Sequence, residues 1–370
     1  MTNERKWSPI EEKVMHCAAS KHEGQTRIGG ESYFNHPKRV AEYLYDRGYR
    51  GKYVFTAFCH DLLEDTDVTE EEIFSNCGRF TRDAVKLLTK EEGMDIALYL
   101  KRIEKNEVAY IVKVADRIDN LLDAQNANLP FQKRYLEETK NYYLEFAADS
   151  PFYEDLLDAY EALKESYEYE TSKLIEVFVE NAYKAINGAP EFNVLDSFFY
   201  GNEPGAAFPI ACTIGEDDID LVLQKKDKPL IITLSGVPAG EMYIYKDKKE
   251  YHLTQQENPY FAIPSFCPSG QTMNIGDNEI PVPDACFTGI VRQTYEPFEV
   301  TADDSIYYAI DVETLGIIVT LLLRDSKTPL PRVGNVISGV FRLNGYVDLG
   351  NYLDPDNACL QLFQVMQPNT

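Results

Sequence analysis

The sequence predicts two domains, an all-α helical bundle over residues 1–188 followed by a β-rich domain over residues 189–370. Three observations carry this reading. A chain of 370 residues is too long for one ordinary domain. Up to residue 188, Gly and Pro are sparse and apolar residues recur at helical spacing. Beyond the turn Asn187-Gly188-Ala189-Pro190, short alternating runs are split by turn residues.

In the first half the spacing predicts helices over His36–Arg47, Tyr53–Leu63, Glu70–Cys77, Thr81–Lys90 and Ala109–Leu122. Pro37 suits a first helical turn, and Thr69 with Glu72 makes a capping box. Within the last of these helices, Val112, Ala115, Ile118, Leu121 and Leu122 fall on one stripe. The tract 151–186 extends the helical pattern, with Leu156, Leu157, Tyr160, Leu163 and Tyr167 on one face and its acids on a solvated one.

The second half reads as strands. LVLQ-KKDK-PLIITLS and MYIYKDKKEYHLT look like hairpins, and SIYYAIDV, TLGIIVTLLL and NVISGVFRLNGYVDL continue the theme. Tyr243, Tyr245, Tyr251, Tyr260 and Phe261 read as core or cross-strand residues, and His252 as a structural residue in a strand. GEDDIDL and TADDS lack a calcium-loop pattern and read as solvated loops. The roles open to this half are homo-oligomerisation, ligand sensing or binding a protein partner.

Charge narrows the function classes. A formal net charge of −25 argues against a nucleic-acid partner or an anionic membrane surface. No 18-residue apolar run is present, and the charged N-terminus has no signal-peptide core, so a cytoplasmic location is expected. The seven cysteines form no CxxC pair and read as reduced, mostly buried thiols.

The chemistry concentrates in F-C-H-D-L-L-E-D at positions 58–65. His36 opens one helix, His60 and Asp61 end another, and Asp116 lies in a third. Two imidazoles and two carboxylates make a mixed nitrogen–oxygen donor set suited to Mn, Fe, Co or Zn. Glu64 and Asp65 follow about one turn after His60 and Asp61, where carboxylates orient or deprotonate a water. Asn120 shares the Asp116 face, while Lys21, Lys38, Lys113 and Arg117 supply positive charge for a phosphorylated ligand. Arg27 comes from a loop and could reach a base or a phosphate.

Four blocks in order, H22-E-G-Q-T-R27-I-G-G-E-S-Y33-F-N-H36-P-K-R-V-A, C-H60-D61-L-L-E64-D65-T, L-T-K90 and V-K113-V-A-D116-R117-I-D-N120-L, resemble the HD hydrolase domain of the RelA/SpoT alarmone family. They are also similar to small stand-alone alarmone hydrolases. By motif the resemblance covers roughly residues 8 to 125. It implies an HD-type helical bundle with one divalent metal, typically Mn2+, on His36, His60, Asp61 and Asp116. It further implies Glu64 and Asp65 as the water-activating carboxylates, Arg27 against a guanine base, and Asn120 near the sugar. The small-molecule nucleotide substrate implied is (p)ppGpp, cleaved at its 3′-pyrophosphate. The chain departs from the family pattern at Ile28, Ser32, Asp119 and Leu122, which leaves another nucleotide, such as an adenine alarmone, as an alternative substrate. A non-catalytic nucleotide-sensing module is the third reading, and no alarmone synthetase domain follows.

Overall fold

The computed structural model of the protein describes residues 6–27, 30–185, 193–201, 207–224, 229–254, 262–275, 278–300, 305–324 and 330–348. Ile28, residue 188, Tyr260, Phe261, Cys359 and the TADDS residues before Ser305 lie outside the described residues. The chain divides into two compact units, Met1–Glu168 and Tyr169–Thr370.

The first unit is helical. Ser8 and Glu11 exchange hydrogen bonds as a capping box on α1 (Pro9–Lys21). Next, α2 (Asn35–Asp46) turns His36, Pro37, Val40, Ala41 and Leu44 inward, one face of a 3.6-residue period. The expected helix over Tyr53–Leu63 is broken in two. α3 (Lys52–Cys59) stops before His60, and α4 (Leu62–Asp65) starts after Asp61. The division expected between Glu70–Cys77 and Thr81–Lys90 is present: α5 (Glu70–Leu88) is two helical segments that meet in a kink at Gly78, whose φ of 81° and ψ of 177° are not helical and whose φ only glycine adopts easily. Thr69 and Glu72 cap it as the sequence predicts.

After α6 (Ile96–Ile103) comes α7 (Glu107–Ala124), the helix most enclosed by its neighbours. Val112, Ala115, Ile118 and Leu121 are buried as expected. Leu122, one step round the helix, is instead 50% exposed. α8 (Leu129–Glu138), a π-turn at Thr139–Tyr143, α9 (Leu144–Phe146) and α10 (Tyr153–Ser172) complete the helices of this half.

The helical texture ends sooner than expected. Residues 175–183, read above as helix, form β1 (Ile175–Tyr183) because Ile175 and Val177 alternate inward against exposed Glu176 and Phe178. The second unit continues with β2 (Val194–Tyr200), β3 (Ala207–Thr213), α11 (Glu216–Gln224) and β4 (Pro229–Tyr245). Then come α12 (Lys248–Thr254), β5 (Ser265–Pro268), the hairpin β6 (Thr272–Ile275) and β7 (Asn278–Pro281), and β8 (Asp284–Thr294). β9 (Phe298–Val300), β10 (Ser305–Thr314), β11 (Ile317–Arg324) and β12 (Val336–Val347) finish it.

Neither expected hairpin forms. LVLQ belongs to α11, whose first turn carries Glu216, Asp217 and Asp218 where the helix dipole favours acids, so GEDDIDL is not a loop. KKEYHLT is α12, so His252 is helical and Tyr251 is 1% exposed beneath it.

The pairings close two five-stranded rings on a shared pair of strands. One runs β1-β2-β3-β12-β4 and back to β1, closed through a single parallel bridge between Asn344 and Thr213. With α11 between its third and fourth strands, this ring has the connectivity of an OB-type Greek-key barrel. The other runs β4-β11-β10-β8-β12 and back to β4. Buried Asp311 on β10 accepts from Tyr169, Tyr295 and Thr320 hydroxyls and from Lys173 at 3.0 Å, so its charge is paired.

At the β8–β10 seam a Cβ on Gly289 would lie 2.5 Å from the Glu313 carbonyl oxygen. Gly289→Ala is therefore expected to destabilise the β unit by about 1–3 kcal/mol. Urea denaturation measures this, and an unshifted midpoint would refute the close approach.

Candidate metal centre

The break between α3 and α4 is what makes the site. His60 caps the end of α3 and Asp61 the start of α4. α2 supplies His36 from its first turn and α7 supplies Asp116 from its middle. Donor atoms of buried His36, His60 and Asp116 lie within 4.8 Å of one another. The two Nε2 atoms are 3.2 Å apart, and Asp116 Oδ1 is 3.1 Å from His36 and 3.5 Å from His60. Asp61 Oδ2 joins them at 3.3 Å from His60 and 3.8 Å from His36.

Hydrogen bonding fixes which ring nitrogens face inward. His60 Nδ1 lies 2.8 Å from the Ala57 carbonyl, and His36 Nδ1 lies 2.6 Å from the Asp119 carboxylate. Both partners only accept, so each Nδ1 carries the proton and each Nε2 a lone pair. Two lone pairs and two carboxylate oxygens then face one another, an arrangement that repels itself unless a cation sits among them. The donor chemistry fits a divalent metal of the Mn, Fe, Co or Zn kind. The surrounding carboxylates favour positive charge at this point: burial disfavours charge on His60, yet Asp61 and Asp116 outweigh it and lift the ring up to about 9, so a proton competes with a metal for the Nε2 lone pair. Asp116 is held well below the usual carboxylate range, against burial, chiefly by Lys113 and then by the imidazoles.

The carboxylates one turn on lie beside this cluster. Glu64 accepts from the Lys90 backbone N–H. Although much of the residue is solvent-accessible, desolvation of its carboxyl raises it above the usual range, opposed by that N–H and by Lys113. Asp65 and Asp61 share the Tyr33 hydroxyl, at 2.6 and 2.9 Å. Burial and the Asp61 charge push the Tyr33 phenol up, so it stays a donor.

The cations divide. Lys113 sits 2.9 Å from Asp116. Arg27 is bound to Asn120 at 2.9 Å and Asp123 at 2.7 Å, and Asn120 in turn donates to Asp116 at 2.6 Å. Lys21 pairs with Asp67 at 3.3 Å, and Lys38 is exposed. Arg117 is not placed for a substrate. It is buried, donates to Thr139 Oγ1 at 2.9 Å and the Tyr135 carbonyl at 2.8 Å, and lies against the Tyr135 and Tyr143 rings. Its partners all follow α7, so it fastens that helix to the next one.

The sequence reading missed Arg39 and saw Asp119 only as a departure from the family pattern. Asp119 holds His36, and Arg39 holds Asp119 through Nε at 2.8 Å and Nη2 at 3.0 Å. The signal was the i, i+3, i+7 row Asp116, Asp119, Asp123 on α7, facing Arg39, three residues after His36. Asp119→Asn keeps the shape and removes the anion, so divalent-metal affinity is expected to fall about 10–100-fold. Isothermal titration with Mn2+ measures it; an unchanged affinity would deny Asp119 a part in orienting His36.

No family model matches the chain. In sequence it is 26% identical over 152 residues to the probable guanosine-3′,5′-bis(diphosphate) 3′-pyrophosphohydrolase of Mycoplasma genitalium, over 36% of this chain and 21% of that protein. It is 31% identical over 141 residues to GTP pyrophosphokinase rsh of Brucella melitensis biotype 1, over 35% and 19%. To the guanosine-3′,5′-bis(diphosphate) 3′-pyrophosphohydrolase of Aquifex aeolicus it is 28% identical over 144 residues, over 37% and 21%. The chain thus spans about a fifth of the length of these curated relatives.

Among solved structures, a metazoan ortholog of SpoT that hydrolyzes ppGpp is 21% identical, covering 45% of this chain and 95% of that one, with a TM-score of 0.32. The lmo0812 protein of Listeria monocytogenes EGD-e is 26% identical, covering 38% and 99%, with a TM-score of 0.31. The sequence relationship, rather than these superpositions, ties the chain to its relatives. The N-terminal region is an HD-like hydrolase domain of the RelA/SpoT type.

Proposed function

We propose that the chain is a metal-dependent (p)ppGpp 3′-pyrophosphohydrolase, which releases pyrophosphate from the nucleotide 3′ position and leaves GDP or GTP. The observation that carries this reading is the convergence of His36, His60, Asp61 and Asp116 with two further carboxylates one turn away. The relatives named for this activity support it.

His36, His60, Asp61 and Asp116 would hold one Mn2+-type ion, which lowers the pKa of water and neutralises phosphate charge when bound. Glu64, with its raised carboxyl, accepts a proton from the attacking water, while Asp65 and Tyr33 fix its direction. Lys113 keeps Asp116 ionised in its buried place. Arg27 packs against the base and Asn120 contacts the sugar. Asn120 also links Arg27 to Asp116, so base recognition and the metal centre share one hydrogen-bonded chain.

A second nucleotide class has an observation in its favour. Asp119 and Leu122 replace family residues, and here Asp119 serves the metal centre while Leu122 is half exposed. The test covers both readings: Mn2+-dependent pyrophosphate release from ppGpp, pppGpp and their adenine counterparts, for wild type and Asp61→Ala. Release from a guanine alarmone that is lost in the variant supports the proposal. Release from an adenine one alone moves it to that base, and silence on all four overturns it.

A further inference from the structure

Three of the cysteines meet outside the metal centre. Cys59 is the last residue of α3 and is buried; Cys77 is the last residue before the Gly78 kink of α5 and is partly exposed. Their sulfurs lie 3.8 Å apart although the residues are 18 positions apart in sequence. A cavity of about 30 Å³ reaches them, lined by Cys17, Cys59 and Cys77 together with Lys21, Glu72 and Asn76. That is room for a molecule the size of water or hydrogen peroxide.

We propose that Cys59 and Cys77 are a modification site, a thiol pair that peroxide oxidises to a reversible disulfide. Closure requires the sulfurs to approach from 3.8 Å to about 2 Å. The kink immediately after Cys77 separates the first two turns of α5 from the rest of the helix, so the Cys77 end can shift without dragging the remainder. Cys77 is the attacking sulfur: it is the more exposed, and the Cys59 S–H, with the charge of Lys13, holds its thiol below the usual range.

The chemistry balances in two steps. The Cys77 sulfur attacks one peroxide oxygen; an S–O bond forms, the O–O bond breaks, and the thiol proton leaves with the second oxygen as water. Sulfur loses two electrons and peroxide gains them. The Cys59 sulfur then attacks Cys77; an S–S bond forms, the S–O bond breaks, and the hydroxyl departs with the Cys59 proton as a second water. A disulfide of this transient kind is compatible with a reducing compartment.

The test uses the full chain, reduced and then exposed to hydrogen peroxide. Remaining thiols are blocked with N-ethylmaleimide before peptide mapping by mass spectrometry. The expected result is a cross-linked Cys59–Cys77 peptide and loss of two of the seven thiols, restored by dithiothreitol. Cys77→Ser should abolish that loss, and Cys17→Ser should leave it intact. Recovery of both residues as alkylated thiols overturns the proposal, as does a cross-link of Cys77 to Cys17 or a sulfinic acid on Cys77 beside a free Cys59. Mapping of the wild type decides the matter even where a variant fails to fold.

Discussion

Asp116→Ala is expected to abolish Mn2+ binding and to cost the helical unit about 3–5 kcal/mol, the range for removing one partner of a buried ion pair. The side chain of Asp116 is 5% exposed and that of Lys113 17%, so the stranded ammonium has little water to turn to. His36 and His60 lose the carboxylate oxygen at 3.1 and 3.5 Å, and Asn120 loses its acceptor. Two measurements separate the effects: Mn2+ titration calorimetry reports the donor set, and urea unfolding followed by far-UV circular dichroism reports the ion pair. The double variant Asp116→Ala with Lys113→Met should recover stability and still bind no metal. Metal binding that survives in Asp116→Ala would remove Asp116 from the centre.

Glu64→Gln should behave in the opposite way. The amide oxygen still accepts from the Lys90 N–H, and Glu64 is not among the converging donors, so metal affinity should hold. An amide cannot take a proton, so kcat is expected to fall about 10²–10⁴-fold, the usual contribution of a general base. Burial raises the Glu64 carboxyl, and a base works only when deprotonated. The wild-type rate should therefore fall, as pH is lowered, from above the ordinary carboxylate range, and Glu64→Gln should lose that limb. Near-normal turnover in Glu64→Gln would pass the base role to Asp65.

The four converging donors were legible because each sits where helical spacing or a helix end fixes it. His36 follows a first-turn pattern, and Asp116 lies on a strongly periodic helix. What surrounds them was less legible, since orienting contacts join residues distant in sequence. Tyr33 meets Asp61, and His36 meets Asp119, only after packing. Asp119 was visible as a departure from a family pattern but not as a hydrogen-bond acceptor. Arg117 misled because a basic residue beside a metal ligand looks like a phosphate contact; only the rings of Tyr135 and Tyr143 show that it faces the other way.

Element boundaries failed for local reasons. Gly78 marks the break within α5, whereas His60-Asp61 ends a helix without a glycine or proline to announce it. In the β half, KKEYHLT follows the alternating run Met242-Tyr243-Ile244-Tyr245 and a polar Lys-Asp turn, so it reads as the return strand of a hairpin. It nevertheless coils as α12, with Tyr251 as its buried anchor.

The strand pair shared by the two rings sets the order in which the second unit can be completed. β12 pairs with β4 along nearly its whole length and also closes against β8 and β3. While a ribosome is still extending the chain, neither ring can shut until residues 336–347 have emerged. Until then β4 carries an unpaired edge, the kind of surface on which nascent chains aggregate. The long separation in sequence between β4 and β12 also makes their pairing a slow, non-local step. One late strand thus acts as a common latch, and a premature stop before it would leave both rings open rather than one.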